Sequence, residues 1–366
     1  MKARGLSRSL IGLVLAAFVG VALLVMLSIR QSGWQDFSVP GPFSVGVATL
    51  RGDGPTTEIW YPVDGAFVGG LQSEVFDHRS VWPTEIGSQI PPELFPILDT
   101  GAFRDAPPSG QGPFPLVVFS HGFGGYRQMS SFYTTHLASW GFVVAAPDHE
   151  GRGFRAAIAG TANRSADNDL GDIRSVLAAL AEGDGGNELA TVVDGTRIAV
   201  AGYSAGATTA VAAGDLEDVD TFIALSGRGG LTENARRKPA LVFAEEDDSV
   251  IPAFVSELLY ERMAGSARLV VIASGGHSAL IDLCPAWTAA PGQLGRLTTW
   301  LGSVRALANG CSPGYPEAAE VWKVLDHTSV AHLYEVFGLG DVGRGLSEAA
   351  VQVVSSARLS VWATKP

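Results

Sequence analysis

A chain of 366 residues with 46% hydrophobic and 17% charged side chains has a globular composition with a sizeable core. An α/β fold on one large sheet reaches this length without a second domain. The formal charge of −12, with no basic cluster outside the extreme N-terminus, argues against nucleic acid as a partner, and the 45 glycines and 20 prolines form no low-complexity tract or repeat.

In chain order, residues 1–9 form a basic flank with Lys2, Arg4 and Arg8, followed by Leu10 to Ile29, twenty residues without a charge. As a helix this segment would span about 30 Å, the thickness of a bilayer core. It predicts export, either as a signal-anchor with the basic flank cytoplasmic or, if cleaved, as a signal peptide of a secreted protein. Residues 30–42 read as a linker and 43–366 as a single domain outside the cytoplasmic membrane.

Eight apolar, β-branched runs follow, at Phe43, Thr56, Pro115, Gly141, Arg197, Thr221, Ala240 and Arg268. The last six are near-continuous rather than alternating, as strands covered on both faces are. Helix-compatible stretches lie between them from Tyr126, Asp172, Ala205 and Ala253, so the expectation is a mostly parallel eight-stranded sheet with helices on both faces. The first two strands are expected to pair antiparallel at one edge. Residues 64–112, rich in proline and glycine, read as an irregular excursion rimming a site. The part from about Leu294 onward reads as helical, with "SEAAVQVVSSARLSVW" as a closing helix.

The pentapeptide glycine-x-serine-x-glycine occurs twice, around Ser204 and around Ser312. A serine becomes a nucleophile on a tight strand-to-helix turn. Ser204 follows the strand "RIAVAG" and precedes a run of small residues, whereas Ser312 has Pro313 after it, which blocks that geometry and leaves Ser312 a loop residue. The hydroxyl needs a base and an orienting acid, each just after a later strand. His277 alone among the histidines lies downstream of Ser204 and directly after a strand, in "RLVVIASGGHS". The acid comes from the cluster Glu245, Glu246, Asp247, Asp248; Asp248, just ahead of "SVIP", is preferred and Asp247 is the alternative. His149 reads as structural or pocket-lining. Oxyanion donors are expected at the backbone N–H groups of Ala205 and of Phe123, in "FSHGFGGYR". Phe123 and Tyr203 would make the binding surface apolar.

Only two cysteines occur, Cys284 and Cys311, and in an exported protein this pair reads as a disulfide. No CxxC, HExxH or histidine cluster points to a metal, and no cofactor is implied.

With "PFPLVVFSHGFGGYRQMSSFYTTHLASWGFVVAAPDHEGRG", "AVAGYSAG", "DDSVIP" and "GGHS", the chain resembles the α/β-hydrolase superfamily. It is similar to the branch holding polyester hydrolases, cutinase-like lipases, dienelactone hydrolases and platelet-activating-factor acetylhydrolases. The resemblance implies Ser204 as nucleophile, Asp248 as acid, His277 as base, and Phe123 and Ala205 as oxyanion donors. Acetylhydrolases of this branch place the acid after the strand that follows the nucleophile, where this chain has Ser226; the later acid, and a disulfide beyond the histidine, are the polyester-hydrolase pattern. The expected activity is serine-dependent hydrolysis of apolar acyl or aromatic esters, small or polymeric, with membrane contact only through the N-terminal helix. A thioesterase or peptidase would share the triad, and the competing class is a tethered binding protein without chemistry.

Overall fold

The interior strands read as unbroken apolar runs because their two faces feed two different cores. The structure is a computed structural model and describes residues 34–366 apart from 91, 93–94, 96, 164–165, 182–187 and 290–308. The predicted N-terminal helix and its basic flank lie outside the described residues, and among the described residues no helix is long and apolar enough to cross a membrane.

The strands are β1 (Ser44–Leu50), β2 (Thr57–Val63), β3 (Val75–Asp77), β4 (Ile97–Asp99), β5 (Ala102–Arg104), β6 (Phe114–Ser120), β7 (Val143–Pro147), β8 (Val193–Tyr203), β9 (Thr221–Leu225), β10 (Ala240–Glu245), β11 (Ala267–Ile272) and β12 (Leu359–Lys365). The helices are α1 (Thr84–Gly87), α2 (Ser131–Ser139), α3 (Phe154–Ala159), α4 (Ala166–Leu180), α5 (Ala205–Ala213), α6 (Ala253–Arg262), α7 (Cys284–Ala289), α8 (Ala318–Phe337) and α9 (Glu348–Val354). Along β6, Val117 and Phe119 join Tyr133 and Leu137 of α2 and Val324 of α8, while Leu116 and Val118 join Ile173 of α4, Val211 of α5 and Leu259 of α6. This period of two, buried on both sides, leaves no polar position to mark an alternation.

Among the described residues the main sheet has ten strands, in the order β12-β11-β10-β9-β8-β6-β7-β2-β1-β5. From β7 through β11 all neighbours are parallel, so the carboxyl ends of β6, β8, β10 and β11 open on one side. Ser120 of β6 lies level with Gly202 of β8, and Glu245 of β10 with Ile272 of β11. That register puts four functional loops at one rim.

Each of the eight predicted runs forms a strand, and β1 pairs β2 antiparallel, but the sheet has two more strands than expected. One is β5, at the edge beyond β1, from the excursion, which also carries the small β3–β4 pair and α1. The other is β12, in the stretch predicted to be a closing helix. Ser347 caps α9 by accepting the Ala350 N–H, and the helix stops at Val354 because Ser355 and Ser356 both turn to Glu320 of α8. The chain then runs antiparallel along β11. The predicted linker is anchored to the core at Phe37, which is buried; its N–H donates to His327 Nδ1 at 3.0 Å, and its carbonyl accepts from His136 Nε2 at 2.8 Å.

Candidate active site

Ser204 stands between β8 and α5 with φ 56° and ψ −115°. A non-glycine residue held there costs about 1–3 kcal/mol and is kept only where its surroundings enforce it. The flanking glycines do so. A Cβ on Gly206 would strike the carbonyls of Ser120 and His121, and one on Gly202 would strike the carbonyl of Gly206. The first turn of α5 can therefore press against the end of β6. The Ser204 N–H donates to the Leu225 carbonyl at 2.8 Å, and Ala205 is the first helical residue, whose N–H finds no carbonyl inside its own helix.

His277, in the loop after β11, has Nε2 3.0 Å from Ser204 Oγ and Nδ1 2.7 Å from Asp248 Oδ2. An ionised Asp248 requires the proton on Nδ1, leaving Nε2 bare to accept from the serine hydroxyl. Asp248 is buried, and its Oδ1 accepts the N–H groups of Val250 at 2.7 Å and Ile251 at 2.8 Å, which aims Oδ2 at the ring. Asp247 is exposed and points its carbonyl elsewhere, to Asn309 Nδ2 at 3.0 Å. Glu246 accepts the Ser274 N–H at 2.9 Å. Glu245 is wholly buried beside Asp248, and desolvation pushes its carboxyl well above the usual range; its partner is the Ser226 hydroxyl.

Tyr203, predicted to line the substrate surface, is 4% exposed, and its hydroxyl donates to the His277 carbonyl at 2.8 Å. It supports the histidine loop instead. Phe123 is 39% exposed, in the loop whose Gly122 backbone lies against Ser204. Ser312 falls outside any helix or strand.

Asn309, which no local motif marks, joins the loops that carry Asp248 and His277. Its Oδ1 accepts the N–H groups of His277 at 2.8 Å and Ser249 at 3.0 Å, and its Nδ2 donates to the Asp247 carbonyl and to Tyr315 Oη. Two residues on, Cys311 is disulfide-bonded to Cys284, the predicted pairing. The only sequence signal was an asparagine directly before "GCSPG", too far from the histidine to read as a partner.

His149, Asp169 and Asp172 lie close enough together to suggest a metal centre. However, the Arg152 guanidinium sits on Asp169 at 2.5 Å and supplies the cation itself. His149 is buried and held well below its ordinary pKa by desolvation and by Arg152.

The excursion arches over this rim through an aromatic chain. Trp82 meets Phe154 at 4.6 Å between ring centroids and Phe95 at 6.0 Å, and Phe95 meets Trp287 of α7 at 6.2 Å. A cleft of about 550 Å³ lies between it and the loop after β6, lined by Phe76, Tyr126, Arg127, His149, Phe154 and Arg155.

These features define the α/β-hydrolase fold. A family model described as platelet-activating factor acetylhydrolase, isoform II, matches residues 52–178. A platelet-activating factor acetylhydrolase of Canis lupus familiaris is 30% identical over 141 residues, which cover 35% of this chain and 31% of that protein, so the match spans about a third of the relative's length. Among solved structures, a ferulic acid esterase from Streptomyces cinnamoneus superposes with a TM-score of 0.60 and 23% identity over 83% of this chain and 93% of its own. The resemblance to the hydrolase branch holding the acetylhydrolases is borne out. The family match ends before Ser204, so it says nothing of Ser204, Asp248 or His277.

Proposed function

We propose that the protein is a serine-dependent carboxylic-ester hydrolase working through an acyl-enzyme. The observation that supports this most is the unbroken chain Ser204 Oγ, His277 Nε2, His277 Nδ1, Asp248 Oδ2, with links of 3.0 and 2.7 Å, on a strained strand-to-helix turn. Ser204 Oγ attacks the ester carbonyl as its proton passes to His277 Nε2. Negative charge gathers on the carbonyl oxygen, where the N–H groups of Ala205 and Phe123 serve as donors. The carbon–oxygen bond to the alcohol breaks as His277 returns the proton to the leaving oxygen. Water, deprotonated by the same ring, then attacks the acyl-serine; the acid leaves and Ser204 regains its proton. Asp248 stays ionised and holds the imidazolium.

The substrate class we infer is an apolar acyl or aromatic ester, supported by the exposed Phe123 next to Gly122, whose backbone lies against Ser204. The place we infer is outside the cytoplasmic membrane, tethered or released according to the fate of residues 10–29, in keeping with the disulfide. A fluorophosphonate probe should add its mass to the wild type and not to Ser204→Ala, which should also lose turnover of short nitrophenyl esters. Labelling or turnover that persists in Ser204→Ala removes the reading; a parallel amide and thioester panel separates peptidase and thioesterase activity.

A further inference from the structure

Directly behind the oxyanion loop lies a second serine–histidine–aspartate chain. Ser120 Oγ is 2.8 Å from His149 Nε2, and His149 Nδ1 is 2.8 Å from Asp172 Oδ2. It cannot be a second nucleophile. Ser120 is wholly buried, out of reach of a substrate, and its oxygen accepts from the Arg152 guanidinium Nη2 at 2.8 Å. What the chain does is hold Arg152.

Arg152 is 3% exposed. Nη2 also donates to the His121 carbonyl at 2.7 Å, while Nη1 donates to Asp169 of α4 at 2.5 Å and to Thr209 Oγ1 of α5 at 2.9 Å. The Arg152 carbonyl accepts the Gly124 N–H at 2.8 Å. One residue therefore holds the chain on both sides of Phe123, at His121 and at Gly124. Through Thr209, one turn beyond Ala205 and 3.4 Å from its carbonyl, it also grips the helix that carries the other donor. His121 completes the frame, with Nδ1 donating to the Gly122 carbonyl at 2.8 Å and Nε2 accepting the His149 N–H at 3.0 Å.

We propose that Arg152 is a positioning residue that sets the separation of the two oxyanion donors, Phe123 N–H and Ala205 N–H, by bridging the loop after β6 to α5. The inference rests on the esterase reading above. A guanidinium suits the task because its planar fork reaches several acceptors at fixed angles, which an ammonium cannot do.

The test compares an ester with its thionoester, in which sulfur replaces the carbonyl oxygen. Donors placed for an oxyanion do little for the larger, weakly accepting sulfur. Arg152→Lys should lower kcat on the ester by about 10–100-fold, less than the roughly 10²–10³-fold cost of removing a donor outright because the donor is displaced and not lost, with KM nearly unchanged. Thionoester turnover should fall far less, so the ester-to-thionoester ratio collapses. Thr209→Val, which removes the hydroxyl that joins Arg152 and Asp169 to the Ala205 turn of α5 and leaves Arg152 on Asp169, should lower the ratio several-fold while the chain still unfolds cooperatively; it keeps the test valid if Arg152→Lys folds poorly. Equal loss on both substrates, or an unchanged ratio in Thr209→Val, overturns the proposal. Turnover that survives Ser204→Ala is a separate outcome and overturns the esterase reading itself.

Discussion

Asn309 Oδ1 accepts the backbone N–H of His277 at 2.8 Å, and the same oxygen takes the N–H of Ser249, next to Asp248. One side chain thus sets the distance between the acid loop and the histidine loop. Asn309→Ala leaves both donors without an acceptor, at about 1–3 kcal/mol for each buried unsatisfied group. We expect kcat on a short nitrophenyl ester to fall about 10–100-fold while KM moves little. Asn309→Asp keeps the acceptor but faces a carboxylate oxygen to the Asp247 carbonyl, and should be intermediate. A full-rate Asn309→Ala would show that the loops hold their geometry without it.

Asp248 and Asp247 are neighbours in sequence with opposite surroundings, one buried against the imidazole and the other exposed. Asp248→Asn presents an amide to Nδ1 and favours the tautomer in which Nε2 carries the proton, where it can no longer accept from Ser204. Such a change costs about 10⁴ in kcat in Ser-His-Asp enzymes. Asp247→Asn should stay within about twofold, since surface substitutions away from such features are nearly neutral. Steady-state kinetics on both variants decides the matter, and comparable losses in the two would contradict the assignment.

Which parts of this were legible beforehand follows from the range of the forces involved. Strands such as β6 and β8 announce themselves because burial on both faces excludes polar residues over five or more positions. Ser204 and His277 were readable because each sits at a strand end beside glycines, and that signal is local. Asn309 was not, because its partners lie 32 and 60 positions away and nothing around it repeats. The Arg152 network was hidden for the same reason: Ser120, His149, Asp169 and Thr209 meet only after β6, β7, α4 and α5 have packed. β12 was misread because the string from Ser347 has helical composition, and the two serines that end α9 act only when Glu320 is near.

Gly206 marks where the approach of α5 to β6 is tightest, since a Cβ there would meet the Ser120 and His121 carbonyls. Gly206→Ala must push apart the turn at Ser204 and the loop after β6. Overpacking of this kind costs about 1–3 kcal/mol, and the displaced loop should also cost activity. Thermal unfolding and kcat measured together should both fall; a variant with wild-type values on each would show that the two backbones have slack.

The Cys284–Cys311 bond closes a loop of 27 positions and ends two residues from Asn309. In the chain-entropy account a loop of this size contributes roughly 3–4 kcal/mol. Gly276 and Gly310 pack backbone to backbone beside it, so the histidine loop leans on the bridged segment. Reduction, or a Cys284→Ala/Cys311→Ala double variant, should lower the melting temperature and also slow turnover below the onset of unfolding. If activity tracks the folded fraction alone, the disulfide stabilises the chain without holding the site.

Glu320 offers a stability handle remote from the chemistry. Its Oε1 takes Lys323 Nζ at 2.6 Å and its Oε2 accepts the Ser356 N–H at 2.7 Å, tying α8 to the turn that launches β12. The Lys323 ammonium, followed by the Ser356 N–H, outweighs partial burial and holds the carboxyl down from its ordinary 4.5 to about 2. A depressed native-state pKa means that the folded chain binds fewer protons than the unfolded one between these values. The contribution to stability is therefore complete above pH 4.5 and is lost as pH falls toward 2. Glu320→Gln should be less stable at neutral pH, and its deficit against the wild type should shrink through that window. Urea midpoints of both proteins across the acid range measure the difference; a deficit that stays constant with pH would show that the carboxylate charge plays no part in joining α8 to β12.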